Sequence, residues 1–292
     1  MKILVTGATG FIGQKWVQSF PDKENLVLLV RDAQKLNLDF IKTCQIVEMD
    51  SSDQWLAEIF SLEIKGCVHL ASLFLSSHNR NQANELVSSN IQFPTQVMET
   101  LHSQLDWWLN MGTFWQHYQN QNYSPVNLYA ATKQSFQDIT QFYSEAKGLN
   151  VMHLKISDTY GSGDTRKKIF ALWKDQLTSN EPLAMSAGEQ EINILHVDDV
   201  VNGIHRSIDW LSQLQRGQGI NKSFALSSNE VLSLKDLARA FESAAGQPLN
   251  IEWGGRPYRD REVMQTWRNF EPLPGWSPTI PLEKGIPQFL NE

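Results

Sequence analysis

Cysteine is scarce: only Cys44 and Cys67 stand among the 292 residues. Both fall in apolar, strand-like stretches, so they read as reduced core thiols of a cytoplasmic protein rather than a disulfide framework. Long hydrophobic runs are also missing. The longest, such as LVLLV at 26–30, have strand length, so no segment is expected to span a membrane. The N-terminus runs straight into an apolar strand without a charged leader or cleavage site, which fits the same expectation of a cytoplasmic chain. There is no basic run and no patch of aromatics among Lys and Arg, and the net charge is -7. Nucleic acid is therefore not an expected partner. The seven histidines show no paired spacing, so no metal site is expected.

Strand and helix patterns alternate over the first 160 residues. KILVT, NLVLLV, CQIVEM, KGCVHLA, DWWLNMG and NVMHLKIS have strand character. FIGQKWVQSF has helical spacing, and the polar segment 77–102 reads as helix with Asn90 and Pro94 inside it. The clearest helix is NLYAATKQSFQDITQFYSEAKG, whose apolar positions recur at helical spacing before Gly148 stops it. This alternation predicts an α/β chain with a mostly parallel, doubly wound sheet. Beyond residue 160 the rhythm loosens, with a helix at 166–178, strands near 183 and at 191–196, and helices at 198–214 and 233–245. We therefore expect a domain at 1–160 onto which 190–222 packs back. A smaller α/β lobe would be made of 161–189 and 223–292. The ten tryptophans read mainly as core, with one or two available to a sugar or nucleotide pocket.

ILVTGATGFIG places Gly7, Gly10 and Gly13 after a strand and at the opening of a helix. Glycines there let backbone N–H groups approach a pyrophosphate, and the helix N-terminus favours negative charge. The second strand ends LLVRD. Asp32 could take the ribose 2′-hydroxyl of NAD, whereas Arg31, which comes first, suits the 2′-phosphate of NADP. NADP(H) is favoured and NAD(H) is the alternative. Asp50, after the third strand, is placed either to meet the adenine amino group or to cap a helix.

Tyr129 and Lys133 in NLYAATKQ lie four apart on one helix, hence on one face and roughly 6 Å apart along the axis. A lysine cation there should lower the tyrosine pKa, and a tuned phenol can exchange a proton with a carbonyl or carbinol. The strand before this helix ends LNMGT, which makes Thr113 the candidate for polarising that carbonyl.

With these residues, and with VHLAS at 68–72, Asn90, DTYG at 158–161, HVDDVV at 196–201 and PGWSP at 274–278, the chain resembles an extended short-chain dehydrogenase/reductase of the nucleotide-sugar epimerase/dehydratase type. The resemblance runs in family order over nearly the whole length. It implies a Rossmann domain, a sugar-nucleotide lobe near the C-terminus, a Thr113, Tyr129 and Lys133 catalytic set, and a homodimer formed through the helices at about 80–102 and 128–147. It extends the cofactor contacts to Thr9, Phe11, Ile12, Ser51, Leu70, Ala71, Ser72 and Ile156.

Departures from the family pattern narrow the chemistry. The dehydratases of the family follow the catalytic threonine with Asp and Glu, whereas Phe114 and Trp115 stand here, so sugar dehydration by that route is not expected. What remains is reduction of a 4-keto sugar nucleotide or 4-epimerisation with retained NAD. The stretch from Gly112 to Gly161 looks most like the reductases that complete CDP-linked 3,6-dideoxyhexoses, the abequose and paratose synthases, and reduction is the leading expectation. A further alternative is an NADP-binding redox sensor without turnover. Trp115, Gln116 and His117 are expected to wall the sugar pocket. Asp158 replaces a common asparagine near the substrate diphosphate. Arg166, Arg256, Arg259 and Arg261 are candidates to hold that diphosphate. His196, Asp198 and Asp199 read as structural, the aspartates as helix caps.

Overall fold

The computed structural model describes residues 1–291. The first half runs β1 (Ile3–Thr6), α1 (Phe11–Ser19), β2 (Leu26–Val30), α2 (Leu38–Thr43), β3 (Gln45–Glu48), α3 (Gln54–Ser61), β4 (Gly66–His69), α4 (Arg80–Val87), α5 (Phe93–Leu101), β5 (Trp107–Thr113), α6 (Leu128–Lys147) and β6 (Asn150–Ile156). The second half runs β7 (Asp158–Tyr160), α7 (Ile169–Gln176), β8 (Leu183–Met185), β9 (Glu191–Ile192), β10 (Ile194–His196), α8 (Val197–Leu211), β11 (Asn221–Leu226), β12 (Leu232–Ser233), α9 (Leu234–Ala245), β13 (Ile251–Trp253) and α10 (Leu282–Leu290).

Seven strands form one parallel sheet in the order β11-β6-β5-β4-β1-β2-β3. The order reverses between β1 and β4, so the ends of these two strands open a crevice at the edge where the glycine-rich turn begins. β1, β2, β4 and β5 are buried throughout, as expected for strands covered on both faces. Trp16, Val17, Trp107, Val200 and Ile204 fill one face, and Trp55, Met98, Trp108, Phe136 and Tyr143 fill the other. A third apolar cluster, with Phe170, Trp173, Phe241, Ile286 and Phe289 at its heart, lies among α7, α9 and α10. Most of the tryptophan surplus is therefore core packing.

Three details differ from the sequence expectation. The strand expected at 191–196 is two short strands. β9 pairs antiparallel with β12 and β10 parallel with β7, because the buried Asn193 between them spends its amide on the carbonyls of Ser228 and Glu230 and the N–H of Ser228. The aspartates of HVDDVV do not cap α8. His196 does, with Nδ1 accepting from the Asp198 N–H at 3.2 Å. Buried Asp199 instead accepts hydrogen bonds from the Thr279 N–H and hydroxyl and the Ile280 N–H, which pins the C-terminal segment. Segment 77–102 is helical but not uniformly so, since a π-helical turn, Ser88–Gln92, separates α4 from α5.

Candidate active site

The turn after β1 leaves no room for a side chain at Gly7 or Gly13. Gly7 has φ +77°, and a Cβ there would meet the Ala71 nitrogen at 2.5 Å; one on Gly13 would meet the Gly7 carbonyl oxygen at 2.1 Å. α1 begins at Phe11 with no side chain capping its first N–H groups. Backbone donors therefore face the crevice at the positive end of a helix, as an anion requires. A cavity of about 230 Å³ opens there, lined at its glycine end by Gly7, Gly10 and Phe11 and at its far end by Thr113, Tyr129 and Lys133. Ile12, Gly13, Leu70, Ser72 and Ile156 also border it.

Other expected cofactor residues stand outside this cavity. The Thr9 carbonyl accepts from the Gln14 side chain, and the Ala71 N–H donates to the Thr6 hydroxyl. Asp32 is committed locally, accepting from the Gln34 N–H at 3.0 Å and pairing with Lys35 at 3.6 Å. Arg31 is exposed and has no hydrogen-bond or ion-pair partner among the described residues. Asp50 and Ser51 are exposed just beyond β3. Asp50 accepts from the Ser52 hydroxyl and N–H, which lowers its pKa, and Asp53 rather than Asp50 stands at the start of α3.

Tyr129 and Lys133 project from the first turns of α6. Asn127 caps that helix by accepting from the Ala130 N–H at 3.0 Å and donates to the carbonyls of Leu75 and Ser76, which fixes the loop carrying Phe74. Thr113 ends β5. The hydroxyls of Ser72 and Thr113 both reach the Tyr129 phenol. Ser72 donates to the Asn90 side-chain oxygen at 3.2 Å. Asn90 also donates to the Thr132 hydroxyl on α6 and receives the Leu73 N–H at 2.8 Å.

Electrostatically the pair departs from expectation. Burial pushes the Tyr129 phenol up to about 12. Nearby Asp158 adds to the rise, while the Ser72 hydroxyl, Arg166 and Thr113 oppose it. Burial also draws the Lys133 ammonium down to about 8. In the protein alone, desolvation therefore outweighs any lowering of the phenol by the lysine. Lys133 is 4% exposed and borders the cavity, and its ammonium makes no hydrogen bond among the described residues. Together with the tight glycine turn, this unspent donor is compatible with a dinucleotide bound along the cavity.

A second cavity, of about 260 Å³, continues from the first. The two share Phe74, Trp115, Asp158, Arg166 and Lys168, and the second extends to Arg256 and Arg259. Asp158 is held by Lys168 at 3.3 Å, which offsets the charge that a neighbouring diphosphate would oppose. Arg166 is bidentate on Asp164, at 2.7 Å through each of two nitrogens, and lies over the Phe11 ring at 4.6 Å. Arg261 lies over the Tyr118 ring and donates to Ser124, away from either cavity.

Gln116 and His117 do not wall the pocket. Gln116 is fully buried, accepting from the Thr113 N–H and donating to Gln134 and Gln137. His117 stacks on Trp267 with ring centroids 3.6 Å apart. Sequence reasoning missed Phe74, whose ring meets Tyr129 edge-on at 5.0 Å and Trp115 at 5.4 Å, and it missed Lys168.

Comparison with known proteins agrees with this geometry. The model of the NAD dependent epimerase/dehydratase family matches residues 3–221. CDP-abequose synthase of Salmonella typhimurium is 24% identical over 99% of this chain and 97% of its own, and that of Yersinia pseudotuberculosis is 24% identical over 90% and 91%. The crystal structure of UDP-glucuronic acid 4-epimerase from Bacillus cereus, in complex with UDP-glucuronic acid and NAD, superposes with a TM-score of 0.83. It is 21% identical and covers 100% of this chain and 98% of that one. By its glycine cradle, its Thr113, Tyr129 and Lys133 cluster and the family match over residues 3–221, the chain belongs to the NAD dependent epimerase/dehydratase family.

Proposed function

We propose that the protein reduces the 4-keto group of a nucleotide-diphosphate deoxysugar with NADPH. The observation that carries this reading is the commitment of every carboxylate lining the two cavities. Asp158 is paired with Lys168, Asp164 with Arg166 and Glu191 with Arg268, and Glu262 accepts from the Arg259 N–H. Among the described residues, the cavity that holds Thr113 and Tyr129 is lined by no carboxylate other than the ion-paired Asp158, so none stands free beside them to expel water from a sugar or to remove a proton from its carbons. Thr113 and Tyr129 are left to handle one carbonyl.

A nicotinamide cofactor in the cradle would supply the hydride. The Gly7–Gly13 turn and the N-terminus of α1 would hold its pyrophosphate, and Lys133 its ribose. Thr113 would polarise the substrate carbonyl. Tyr129 would donate the proton to the carbinol oxygen. Arg31, unpaired at the end of β2 while Asp32 is turned into its own loop, favours the 2′-phosphate of NADP. A phenol held near 12 stays protonated through the neutral range, the form that reduction needs as its opening step. The end-to-end similarity to CDP-abequose synthases supports a CDP-linked 4-keto-3,6-dideoxyhexose as substrate class. We also propose a homodimer through α4, α5 and α6, where Val87 and Phe142 stand exposed.

Similarity to a 4-epimerase over the whole chain favours one other reading, epimerisation with retained NAD. The test is absorbance at 340 nm with NADPH, or NADH in parallel, and a panel of nucleotide-linked 4-keto deoxysugars. Reduction requires stoichiometric NADPH loss with one of them and none with Tyr129→Phe. Tightly held NAD with an epimerised product and no net NADPH loss would assign the second reading instead.

A further inference from the structure

His117 belongs to neither cavity, yet both of its ring nitrogens and one ring face are engaged close to Thr113. Its Nδ1 lies 3.1 Å from the Gln121 carbonyl, so that nitrogen carries the proton. Nε2 then accepts from the Lys155 ammonium at 2.9 Å. The ring lies flat on Trp267, 3.6 Å away and 6° from parallel, and the Lys155 ammonium stands 5.3 Å from the same indole. All three residues are buried. Phe114, next to Thr113, packs edge-on against Trp267 at 5.2 Å and near Phe270.

The loop 114–124 and the strap 262–273 are further tied by backbone N–H groups of the strap. Gln119 and Asn120 take left-handed φ values of 51° and 59°, a conformation that Asn adopts readily and that is uncommon for a residue such as Gln119. Their side-chain oxygens accept from the N–H groups of Gln265, at 3.0 Å, and Arg268, at 2.8 Å. The strap itself supplies Glu262, Val263 and Thr266 to the second cavity, and the loop supplies Trp115 to both.

We propose that His117 is a positioning residue: by joining Lys155 on β6, Trp267 on the strap and its own loop, it holds Thr113 and Trp115 in register with the wall of the second cavity. The kinetic part of this proposal rests on the reductase reading; the tie itself does not. Removing Trp267 leaves a gap beside Phe114, and removing either ring cuts the tie to Lys155 or to the strap, so the loop after β5 is loosened and the Thr113 hydroxyl loses its fixed aim.

The experiment is run on the full chain with His117→Ala, Trp267→Ala and Trp267→Phe. Backbone hydrogen exchange is read by peptide. In both alanine variants the amides of 113–124 exchange about tenfold or more faster while β6 and the distal turns of α6 keep their protection, and Trp267→Phe restores most of it. Unchanged exchange of 113–124 in both alanine variants overturns the proposal. In the NADPH assay, turnover per bound NADPH falls about tenfold or more in the alanine variants with unchanged NADPH affinity, a misaligned threonine being enough for such a loss. Faster exchange with full turnover also overturns it, since the tie would then only hold the fold. If the wild-type protein consumes no NADPH with any 4-keto sugar nucleotide, the reductase reading falls. The exchange result still decides whether His117 holds Thr113 and Trp115.

Discussion

Lys133 follows Tyr129 by one turn on the same face of α6, and the same burial has driven their protons in opposite directions, the phenol up to about 12 and the ammonium down to about 8. Reduction needs a protonated Tyr129 and a charged Lys133. The first condition holds throughout the neutral range, and the second fails as pH rises through about 8. The turnover rate is therefore expected to be flat near neutrality and to fall above about pH 8. A pH profile of kcat checks it, and in Lys133→Met the low residual rate should lack that alkaline fall.

Tyr129→Phe removes the proposed proton donor and keeps the ring against Phe74. Turnover should drop about 10²–10⁴-fold. NADPH affinity, measured by fluorescence titration, should stay as in the wild type.

Gly7→Ala puts a methyl group into the Ala71 backbone and asks a side-chain-bearing residue to keep φ +77°. The strain should cost about 1–3 kcal/mol of stability. The cradle cannot shift to relieve it without losing its donors, so cofactor affinity should fall together with the denaturation midpoint. A variant that unfolds later than wild type would contradict the geometry.

Arg31→Ala tests the choice of cofactor. One charge-assisted contact to a 2′-phosphate is worth about 1.5–3 kcal/mol, so NADPH should bind about 10–100-fold more weakly. NADH binding should not change. Equal losses for both cofactors would remove Arg31 from the phosphate.

Buried His117 is held neutral, its pKa lowered to about 4 by burial and by Lys155. Unfolded, it titrates near its ordinary 6.5. Between these values the unfolded chain binds the extra proton, so stability is full above about 6.5 and is lost as pH falls toward 4. His153, lowered to about 3, and buried His69 act in the same direction. The melting temperature should fall across that range, and His117→Gln should flatten the slope while lowering stability at neutral pH.

The parts of the site legible in the sequence were those fixed by local spacing. Gly7, Gly10 and Gly13 follow directly on β1, and Tyr129 and Lys133 share a helix face whatever surrounds them. Thr113 was legible because a strand end at the carboxyl edge of a parallel sheet faces the crevice. Gln116 and His117 were misplaced because a single short 3₁₀ turn, Phe114–Gln116, separates neighbours that face the cleft from neighbours that face the core. Lys168 and Asp199 were hidden for another reason. Their partners, Asp158 and the 279–280 backbone, are set by how loops return, which no period records. The effect of burial on Tyr129 depends on what closes over it, and helix spacing carries nothing of that.

The π turn Ser88–Gln92 acts as a phase lock. The wider turn takes up one extra residue and keeps α4 and α5 in phase. Deleting a single residue between 88 and 92 would restore a regular helix and displace Asn90 from the place the wide turn gives it. The amide that joins Ser72 and Leu73 to Thr132 would then face elsewhere, and the serine meeting the Tyr129 phenol would come adrift from the helix that carries it. A change that makes the secondary structure more ideal would thus spoil the proton donor without touching it.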